Sequence, residues 1–416
     1  MEEIFEGACQ ARLIPGAVLM AADKSGNFSY SRAFGARSMQ PPLDKEPLTV
    51  NSIMYVASCT KLLTSIAVMQ CIERGLVILD QDVRPIVQEL QDLDILQGDS
   101  HGNVVSKRKN TAPITLRQLL THTSGFSYEF NEPLLQRWRS TLPDTERRPP
   151  TSVRNRFLHP LLYEPGTSFS YGPSIDWAGV VVERVTGSTL QEYMMQHIWE
   201  PLGIKDMTFF LSRRPDMQAR VAHMSLRDGS IDAAGQQTVV YAPVQPVLNP
   251  DGEDCQGGGG IFTSAAEYVK VLQALLRASD SPSSDLSGDM PRGQLLKRST
   301  VDTMFNPQLG PSARKALQAI SEIPRLNNMM GGMPPQAGRD WGLAGLLLLD
   351  DLPGWRQKGT MTWGGTPNLT WWIDRKAGLC GLYAGQLMPL GDAKSVEMTQ
   401  LFEKEMYARH SAAMSG

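Results

Sequence analysis

The 416-residue sequence has no apolar run long enough to cross a lipid bilayer, although hydrophobic residues make up 41% of it. A membrane-spanning helix needs about 20 consecutive apolar residues. The five cysteines form no C-x-x-C pair, and the six histidines form no H-E-x-x-H or H-x-H spacing. These absences argue against a membrane protein, a disulfide framework and a zinc site. We therefore expect free thiols and neither a metal nor any other cofactor.

An excess of positive charge is missing as well. Lys and Arg number 40 against 43 Asp and Glu, the formal net charge is −3, and the largest basic cluster is residues 107–109. This balance does not suit a nucleic-acid-binding surface. The first six residues, MEEIFE, are acidic and lack the basic and apolar regions of a secretory signal. We expect a cytoplasmic protein that binds neither nucleic acid nor a membrane.

Hydrophobic patterns predict strands at both ends of the chain. Residues 14–21 and 28–35 flank a Gly/Asn turn and indicate a β-hairpin, and residues 62–75 have the spacing of an amphipathic helix. The C-terminal part carries strand-like runs, followed by a last helix at about 393–409. Those runs are residues 345–349, 370–373 and 380–384. Residues 279–293, dense in Ser, Asp, Pro and Gly, are predicted to form a surface loop.

The length and the order of these elements predict two lobes, because 416 residues exceed what one hydrophobic core usually organises. We predict an α/β fold of the α+β type. Residues 1–80 and 251–416 would build a central antiparallel sheet flanked by helices. Residues 81–250 would form an inserted, mostly helical lobe, and the active site would lie in the cleft between the lobes.

Serine nucleophiles need a base, and a lysine three residues after a serine on a helix lies on the same face. The chain contains three such pairs: Ser58 with Lys61, Ser106 with Lys109, and Ser312 with Lys315. The last two stand in polar or Pro/Gly-flanked segments, where water would keep the lysine protonated. Ser58 follows the apolar segment MYVA and opens the helix of residues 62–75. It is the candidate nucleophile, and the alternative is an ordinary N-cap serine.

Two further segments offer the remaining groups of such a site. Tyr171, in the segment EPGTSFSYG, is a candidate partner for Lys61, because neighbouring lysine and tyrosine side chains can lower each other's pKa. Trp363, Gly364, Gly365 and Thr366 offer a strand edge with small residues, where a backbone N–H can bind an oxyanion. Taken alone, Tyr171 also fits a packed aromatic residue, and the glycine pair also fits a turn.

The order of the motifs decides between these alternatives. SCTK at residues 58–61, LLTHTSG at 119–125, PG at 165–166 followed by Tyr171, GGGG at 257–260 and WGG at 363–365 follow one another along the chain. This order resembles that of class C β-lactamases, related esterases and DD-peptidases, and the resemblance covers nearly the whole chain.

Within that group the sequence resembles the fungal lovastatin-type acyltransferases, on the stretches IPGAV, TKLLT, SIDWAG, DMTF and KAGLC. The resemblance implies a serine β-lactamase/DD-peptidase-like fold. It also implies Ser58 as the nucleophile, Lys61 and Tyr171 as the acid/base pair, and the backbone N–H groups of Ser58 and Thr366 as the oxyanion hole. Tyr128 matches a pocket tyrosine of these enzymes, and Trp363, Gly364 and Gly365 would border the substrate.

Departures from the β-lactamase pattern bear on the substrate. WGG stands where β-lactamases have Lys-Thr-Gly, and Pro173 replaces the asparagine of their Tyr-x-Asn motif. A cation for a substrate carboxylate and an amide-binding group are therefore missing at these positions, and esters and thioesters need neither. A departure from the lovastatin-type pattern is Leu390, where an aromatic residue is expected, so the acceptor pocket would differ.

The resemblance thus implies an acyltransferase that moves an acyl group from a thioester, through an acyl-Ser58 intermediate, to an alcohol of a secondary metabolite such as a polyketide. The donor would be CoA-like or an acyl-carrier domain of a polyketide synthase. A carboxylesterase of the same fold and a non-catalytic penicillin-binding-like module are the alternatives.

Two smaller expectations concern the surroundings of the site. His122 is expected to be a hydrogen-bonded turn residue and not the base, because Lys61 and Tyr171 fill that role. Met329, Met330 and Met333 are expected to form either an adaptable pocket wall or a surface loop.

Overall fold

The two ends of the chain meet in one antiparallel sheet. The computed structural model describes residues 1–99, 104–143, 152–231, 235, 237–243, 254–278 and 293–415. Seven strands follow one another in the order β10 (Arg339–Trp341), β11 (Leu346–Leu348), β12 (Met361–Gly365), β13 (Leu369–Asp374), β14 (Leu379–Ala384), β1 (Gly16–Asp23) and β2 (Ser29–Gly35), and every neighbouring pair is antiparallel. N-terminal β1 pairs with C-terminal β14, with Val18 opposite Ala384, so the predicted sheet from both ends of the chain is present. The loop predicted at residues 279–293 lies outside the described residues except for Gly293.

The strands are β1 (Gly16–Asp23), β2 (Ser29–Gly35), β3 (Ile53–Tyr55), β4 (Asp94–Gly98), β5 (Val104–Lys109), β6 (Met207–Thr208), β7 (Ser225–Leu226), β8 (Val240–Tyr241), β9 (Phe262–Ser264), β10 (Arg339–Trp341), β11 (Leu346–Leu348), β12 (Met361–Gly365), β13 (Leu369–Asp374), β14 (Leu379–Ala384) and β15 (Leu387–Met388). Smaller sheets have the orders β15-β7-β8, β3-β9-β6 and β4-β5.

The α-helices are α1 (Glu2–Gln10), α2 (Thr60–Glu73), α3 (Leu116–Leu120), α4 (Pro133–Ser140), α5 (Val153–Phe157), α6 (Ser174–Thr186), α7 (Leu190–Met194), α8 (Pro215–Gln218), α9 (Ala265–Arg277), α10 (Arg298–Met304), α11 (Pro311–Ser321), α12 (Pro324–Met329) and α13 (Ala393–Ser415). Short 3-10 turns occupy Leu43–Lys45, Ala57–Cys59, Gln88–Leu90, Glu129–Asn131 and Leu211–Arg213, and a π-helical turn occupies Met195–Trp199.

The large sheet is covered on both faces because its side chains alternate. Trp371 of β13 belongs to the core that includes Tyr268 of α9, whereas Trp372, the next residue, packs with Phe402 of α13 on the opposite face. A strand period of two places consecutive side chains on opposite sides of a sheet. Both tryptophans are fully buried, so β13 is a central strand between two helical layers.

Helix α2 differs from its expected amphipathic character. Every residue from Thr60 to Cys71 is buried, and helices of the middle segment pack against α2, with α6 as its main neighbour. One of its buried polar side chains is bonded to a distant segment: Thr64 Oγ1 donates to the carbonyl of Gly257 at 2.7 Å. The predicted one-sided pattern was therefore wrong for this helix.

The middle segment contains more than helices. Strands β4 and β5 form a hairpin there, and the second Ser-x-x-Lys pair, Ser106 and Lys109, lies on exposed strand β5. The third pair, Ser312 and Lys315, lies on the exposed side of α11. The division into lobes at residues 80/81 and 250/251 stays a prediction.

Candidate active site

Ser58 lies at a sharp turn between a strand and a buried helix. Strand β3 is held by β9, with Tyr55 opposite Phe262, and the chain then turns through Ala57–Cys59 into α2. Ala57 has φ +45°, a left-handed conformation that non-glycine residues rarely adopt. The turn is fixed from behind by the Tyr268 hydroxyl, which donates to the Cys59 carbonyl at 2.9 Å. Backbone strain held by the surrounding structure is common at functional sites.

The Lys61 amine lies beneath Ser58 and is almost completely buried, with 1% of its surface exposed. Its Nζ donates to Ser58 Oγ at 3.3 Å, to Tyr128 Oη at 3.1 Å and to the Gly258 carbonyl at 2.6 Å. The predicted lysine–serine contact is therefore present. The lysine reaches Ser58 from the first turn of α2, as expected for a spacing of three residues.

Asp176 is a member of this network that the sequence reasoning missed. It lies in the first turn of α6, is 1% exposed, and accepts hydrogen bonds from Gly258 N–H at 2.9 Å and from the Tyr128 hydroxyl at 3.4 Å. Burial raises the pKa of this carboxyl to about 6, against the opposing effect of the Lys61 charge. A Cβ on Gly258 would collide with the carboxylate, so glycine is required there. The sequence did contain a signal for this residue, because Asp176 stands between the apolar residues Ile175 and Trp177. An acidic residue in such a segment indicates a buried carboxylate that has partners, since charged residues are rarely buried without them.

Tyr171 faces the same space from the other side. The Lys61 Nζ lies 4.8 Å from the centre of its ring, and its hydroxyl oxygen accepts a hydrogen bond from Trp363 Nε1 at 3.1 Å. Tyr171 therefore lies between the buried amine and the WGG strand, in a cluster of aromatic rings that includes Trp341.

His122 supports Tyr171 from behind. It is fully buried with φ +56°, its ring centre is 4.7 Å from that of Tyr171, and its Nδ1 accepts from Gly172 N–H at 3.4 Å. The His122 carbonyl accepts from Ser170 N–H and from the Tyr163 hydroxyl. Burial holds the pKa of His122 well below its usual value, so the ring is neutral. The expectation of a hydrogen-bonded turn residue is confirmed.

The WGG strand passes directly against the serine turn. A Cβ on Gly365 would collide with the Val56 carbonyl oxygen, and a Cβ on Gly364 would collide with the Leu369 carbonyl oxygen. Both glycines are therefore required by close backbone approach, not by a turn, because they end strand β12. Thr366 follows immediately and borders the same cavity as Ser58.

A cavity of about 600 Å³ opens above Ser58. It brings together all the predicted site residues except Lys61, which lies below its floor: Ser58, Tyr128, Tyr171, Trp363, Gly364, Gly365 and Thr366 line it. One wall is apolar and comes from α11, α12 and the residue that follows: Leu317, Ile320, Leu326, Met329 and Met330. Leu390 borders it too, whereas Met333 is fully buried elsewhere. Met329 and Met330 therefore belong to a pocket wall, as one of the two alternatives predicted, and Met333 does not.

Charged residues border another part of the cavity. Arg139 pairs with Glu129 at 3.0 Å, whereas Arg156 has no carboxylate partner among the described residues.

In the described part of the chain, no cluster of three His, Cys, Asp or Glu side chains could hold a metal ion, and no helix is long and apolar enough to cross a membrane. All five cysteines are free thiols, as expected.

A serine hydroxyl beside a buried amine, in a cavity bordered by a glycine-rich strand edge, is typical of enzymes that work through an acyl-serine intermediate. The beta-lactamase family model matches residues 1–399. The monacolin J acid methylbutanoyltransferase of Aspergillus terreus is 40% identical over 416 residues, which cover 99% of this chain and 95% of that one. The chain therefore belongs to the beta-lactamase family and groups with the lovastatin-type acyltransferases.

Other relatives support the same placement. The lovastatin esterase of Penicillium rubens is 38% identical over 414 residues, which cover 99% of each chain. The solved structure of unliganded simvastatin synthase from Aspergillus terreus, a selenomethionyl derivative, has a TM-score of 0.87 at 40% identity and covers 98% of this chain and 97% of that one. The expected fold, family and class of enzyme are confirmed.

Proposed function

We propose that this protein transfers an acyl group from a thioester, through an acyl-Ser58 intermediate, to an alcohol of a secondary metabolite such as a polyketide. The observation that carries the proposal is the Lys61 Nζ, buried and 3.3 Å from Ser58 Oγ under a cavity of about 600 Å³. A cavity of this size accommodates a drug-sized ligand.

The reaction has two half-reactions with one covalent intermediate. Ser58 loses its proton to the base, formed by Lys61 and Tyr171, and its oxygen attacks the thioester carbonyl carbon. The backbone N–H groups of Ser58 and Thr366 stabilise the tetrahedral oxyanion. The C–S bond then breaks, and the thiol leaves with the proton. An alcohol gives its proton to the same base and attacks the acyl-Ser58 ester, which releases the new ester and restores Ser58.

We further propose that the acceptor carries a carboxylate. Two relatives bear names with acidic acceptors, monacolin J acid and ML-236A carboxylate. Arg156 supplies a positive charge at the cavity and has no carboxylate partner among the described residues. An arginine fork suits a carboxylate geometrically. The acyl donor is proposed to be an acyl-carrier domain or a CoA-like thioester, and a cytoplasmic location stays a prediction.

Hydrolysis is the second candidate function, because the lovastatin esterase matches the chain over 99% of its length. An esterase and a transferase share the nucleophile and base, and they differ in whether water or an alcohol reaches the acyl-serine.

Intact-mass spectrometry separates these functions. Wild type and Ser58→Ala are incubated with a short acyl thioester, and candidate alcohols are then added. An adduct on wild type alone that persists in water and clears with alcohol supports transfer. An adduct that clears in water alone supports an esterase, and no adduct with any donor would favour the non-catalytic alternative.

A further inference from the structure

Among the described residues the Lys61 amine forms hydrogen bonds with three polar atoms, and their number constrains how it can accept a proton. They are Ser58 Oγ at 3.3 Å, Tyr128 Oη at 3.1 Å and the Gly258 carbonyl oxygen at 2.6 Å. To accept the serine proton the amine must have a lone pair, and in that form it has two N–H donors. The Gly258 carbonyl has no proton to give, so one N–H must point to it. The remaining N–H and the lone pair are then divided between Tyr128 and Ser58.

Asp176 decides this division. Its carboxylate accepts the Tyr128 hydroxyl proton at 3.4 Å and the Gly258 N–H at 2.9 Å. An ionised carboxylate can only accept, so the Tyr128 O–H points to Asp176 and an oxygen lone pair is left towards Lys61. The second N–H of Lys61 goes to Tyr128. The only polar neighbour left for the lysine lone pair is the Ser58 hydroxyl.

We propose that Asp176 is a positioning residue, which acts through Tyr128 to direct the lone pair that Lys61 uses as a base at the Ser58 hydroxyl. This inference rests on the proposed function of Ser58 as the nucleophile. In the acylation step the Ser58 O–H bond breaks and its proton joins the Lys61 lone pair, while the oxygen electron pair forms the bond to the carbonyl carbon. The resulting ammonium has three N–H donors for three acceptors, so no neighbour needs to rotate.

The structure also explains why an aspartate, and not a longer acid, occupies this position. The carboxylate contacts Gly258 so closely that the residue there has no room for a Cβ. An additional methylene on the acid would push the carboxylate into the Gly258 backbone. The carboxylate of this short side chain thus holds in place both residues that offer an acceptor to Lys61, Gly258 with its carbonyl and Tyr128 with its hydroxyl oxygen.

Asp176→Asn tests the direction of the network with little change in shape. The amide oxygen can still accept from Gly258 N–H, but the amide N–H₂ then faces Tyr128 and donates to it. Tyr128 would turn its own O–H towards Lys61 and occupy the lysine lone pair. We expect the rate of Ser58 labelling by a fluorophosphonate to fall about 10- to 100-fold, as for the loss of one hydrogen bond to a charged group.

Tyr128→Phe and the double variant Asp176→Asn/Tyr128→Phe complete the test. Tyr128→Phe removes the hydroxyl through which Asp176 acts but does not block the lone pair of Lys61. The rate of Ser58 labelling should therefore fall less in this variant than in Asp176→Asn. The double variant removes the blocking O–H and should react faster than Asp176→Asn alone. A merely structural role for Asp176 predicts that the double variant is no faster than the slower single variant.

The outcomes separate this inference from the proposed function. If wild type labels at Ser58 and Asp176→Asn labels equally fast, or the double variant shows no recovery, the positioning role is overturned. If wild type does not label at all, the nucleophile itself is overturned. If Asp176→Asn does not fold, the test relies on Tyr128→Phe. Labelling of this variant at the wild-type rate would overturn the claim that Asp176 acts on Lys61 through Tyr128.

Discussion

The indole Nε1 of Trp363 donates a hydrogen bond to the phenol oxygen of Tyr171 at 3.1 Å. This contact joins the WGG strand to the proposed acid/base tyrosine. The hydrogen bond fixes the position of the phenol oxygen at the edge of the cavity.

Replacement of this indole should therefore slow acyl transfer. We expect Trp363→Phe to lower the acyl-transfer rate up to about 10-fold, in the range of one hydrogen bond that holds the phenol oxygen in place. Steady-state kinetics with a thioester donor measures the effect. Trp341→Phe is the matched control, because the Trp341 indole donates to the Leu120 carbonyl at 3.1 Å and not to Tyr171. An equal loss of rate in both variants would mean that packing of the aromatic cluster, not the hydrogen bond, is responsible.

The buried carboxyl of Asp176 makes stability depend on pH. Its pKa in the folded protein is about 6 against an ordinary value of 3.8, so the folded state binds the proton more tightly and stability falls as pH rises through this range. The whole difference corresponds to about 3 kcal/mol, of which about 1 kcal/mol develops between about pH 5 and pH 7.5.

Asp176→Asn should remove this pH-dependent part. We expect the free energy of unfolding of wild type, relative to the variant, to fall by roughly 1 to 1.5 kcal/mol between about pH 5 and pH 7.5. Urea denaturation of both proteins at the two pH values measures it. A difference between the proteins that does not change with pH would show that the carboxyl is not the titrating group.

Close backbone approach at Gly365 should make this position intolerant of any side chain. Its Cβ would meet the Val56 carbonyl oxygen, just before the serine turn. We expect Gly365→Ala to cost about 1 to 3 kcal/mol of stability and to lower acylation strongly, because overpacking displaces backbone. Gly7→Ala is the control: it lies in α1 with no atom within 4 Å of the added Cβ, and it should be neutral or stabilising. Equal stability of both variants would contradict the prediction.

The charge of Arg156 should select between acceptors. We expect Arg156→Gln to raise KM for an acidic acceptor about 10- to 100-fold and to leave KM for its methyl ester nearly unchanged. Arg139→Gln serves as the comparison, because Arg139 already pairs with Glu129 at 3.0 Å. Similar changes in KM for acid and ester would exclude a carboxylate contact at Arg156.

The sequence predicted those features that local patterns determine. Strand β1 and its partner β2 follow from two apolar runs around a turn, and the contact of Lys61 with Ser58 follows from helical spacing. The burial of α2 on all sides does not follow from its own sequence, because the helices that cover it come from distant segments. Periodicity indicates which residues prefer to be buried, but it does not show how many neighbours surround an element.

The proposed role of Asp176 could not be predicted from the sequence either. It depends on Gly258, which is 82 residues further along the chain, and on Tyr128 from a third segment. The family resemblance indicated that Tyr128 borders the substrate, and the structure places it against the cavity and the base at once. Side-chain networks assembled from separate segments require a tertiary structure.

The apolar cavity wall comes from a single stretch of chain, helices α11 and α12 with the residue that follows. Ser58, Lys61, Asp176 and Tyr171 all lie on other elements. Exchange of that one stretch between related proteins would thus replace the apolar wall of the cavity and leave the reacting groups unchanged. A change in this wall would therefore alter which acceptor fits without altering the groups that react.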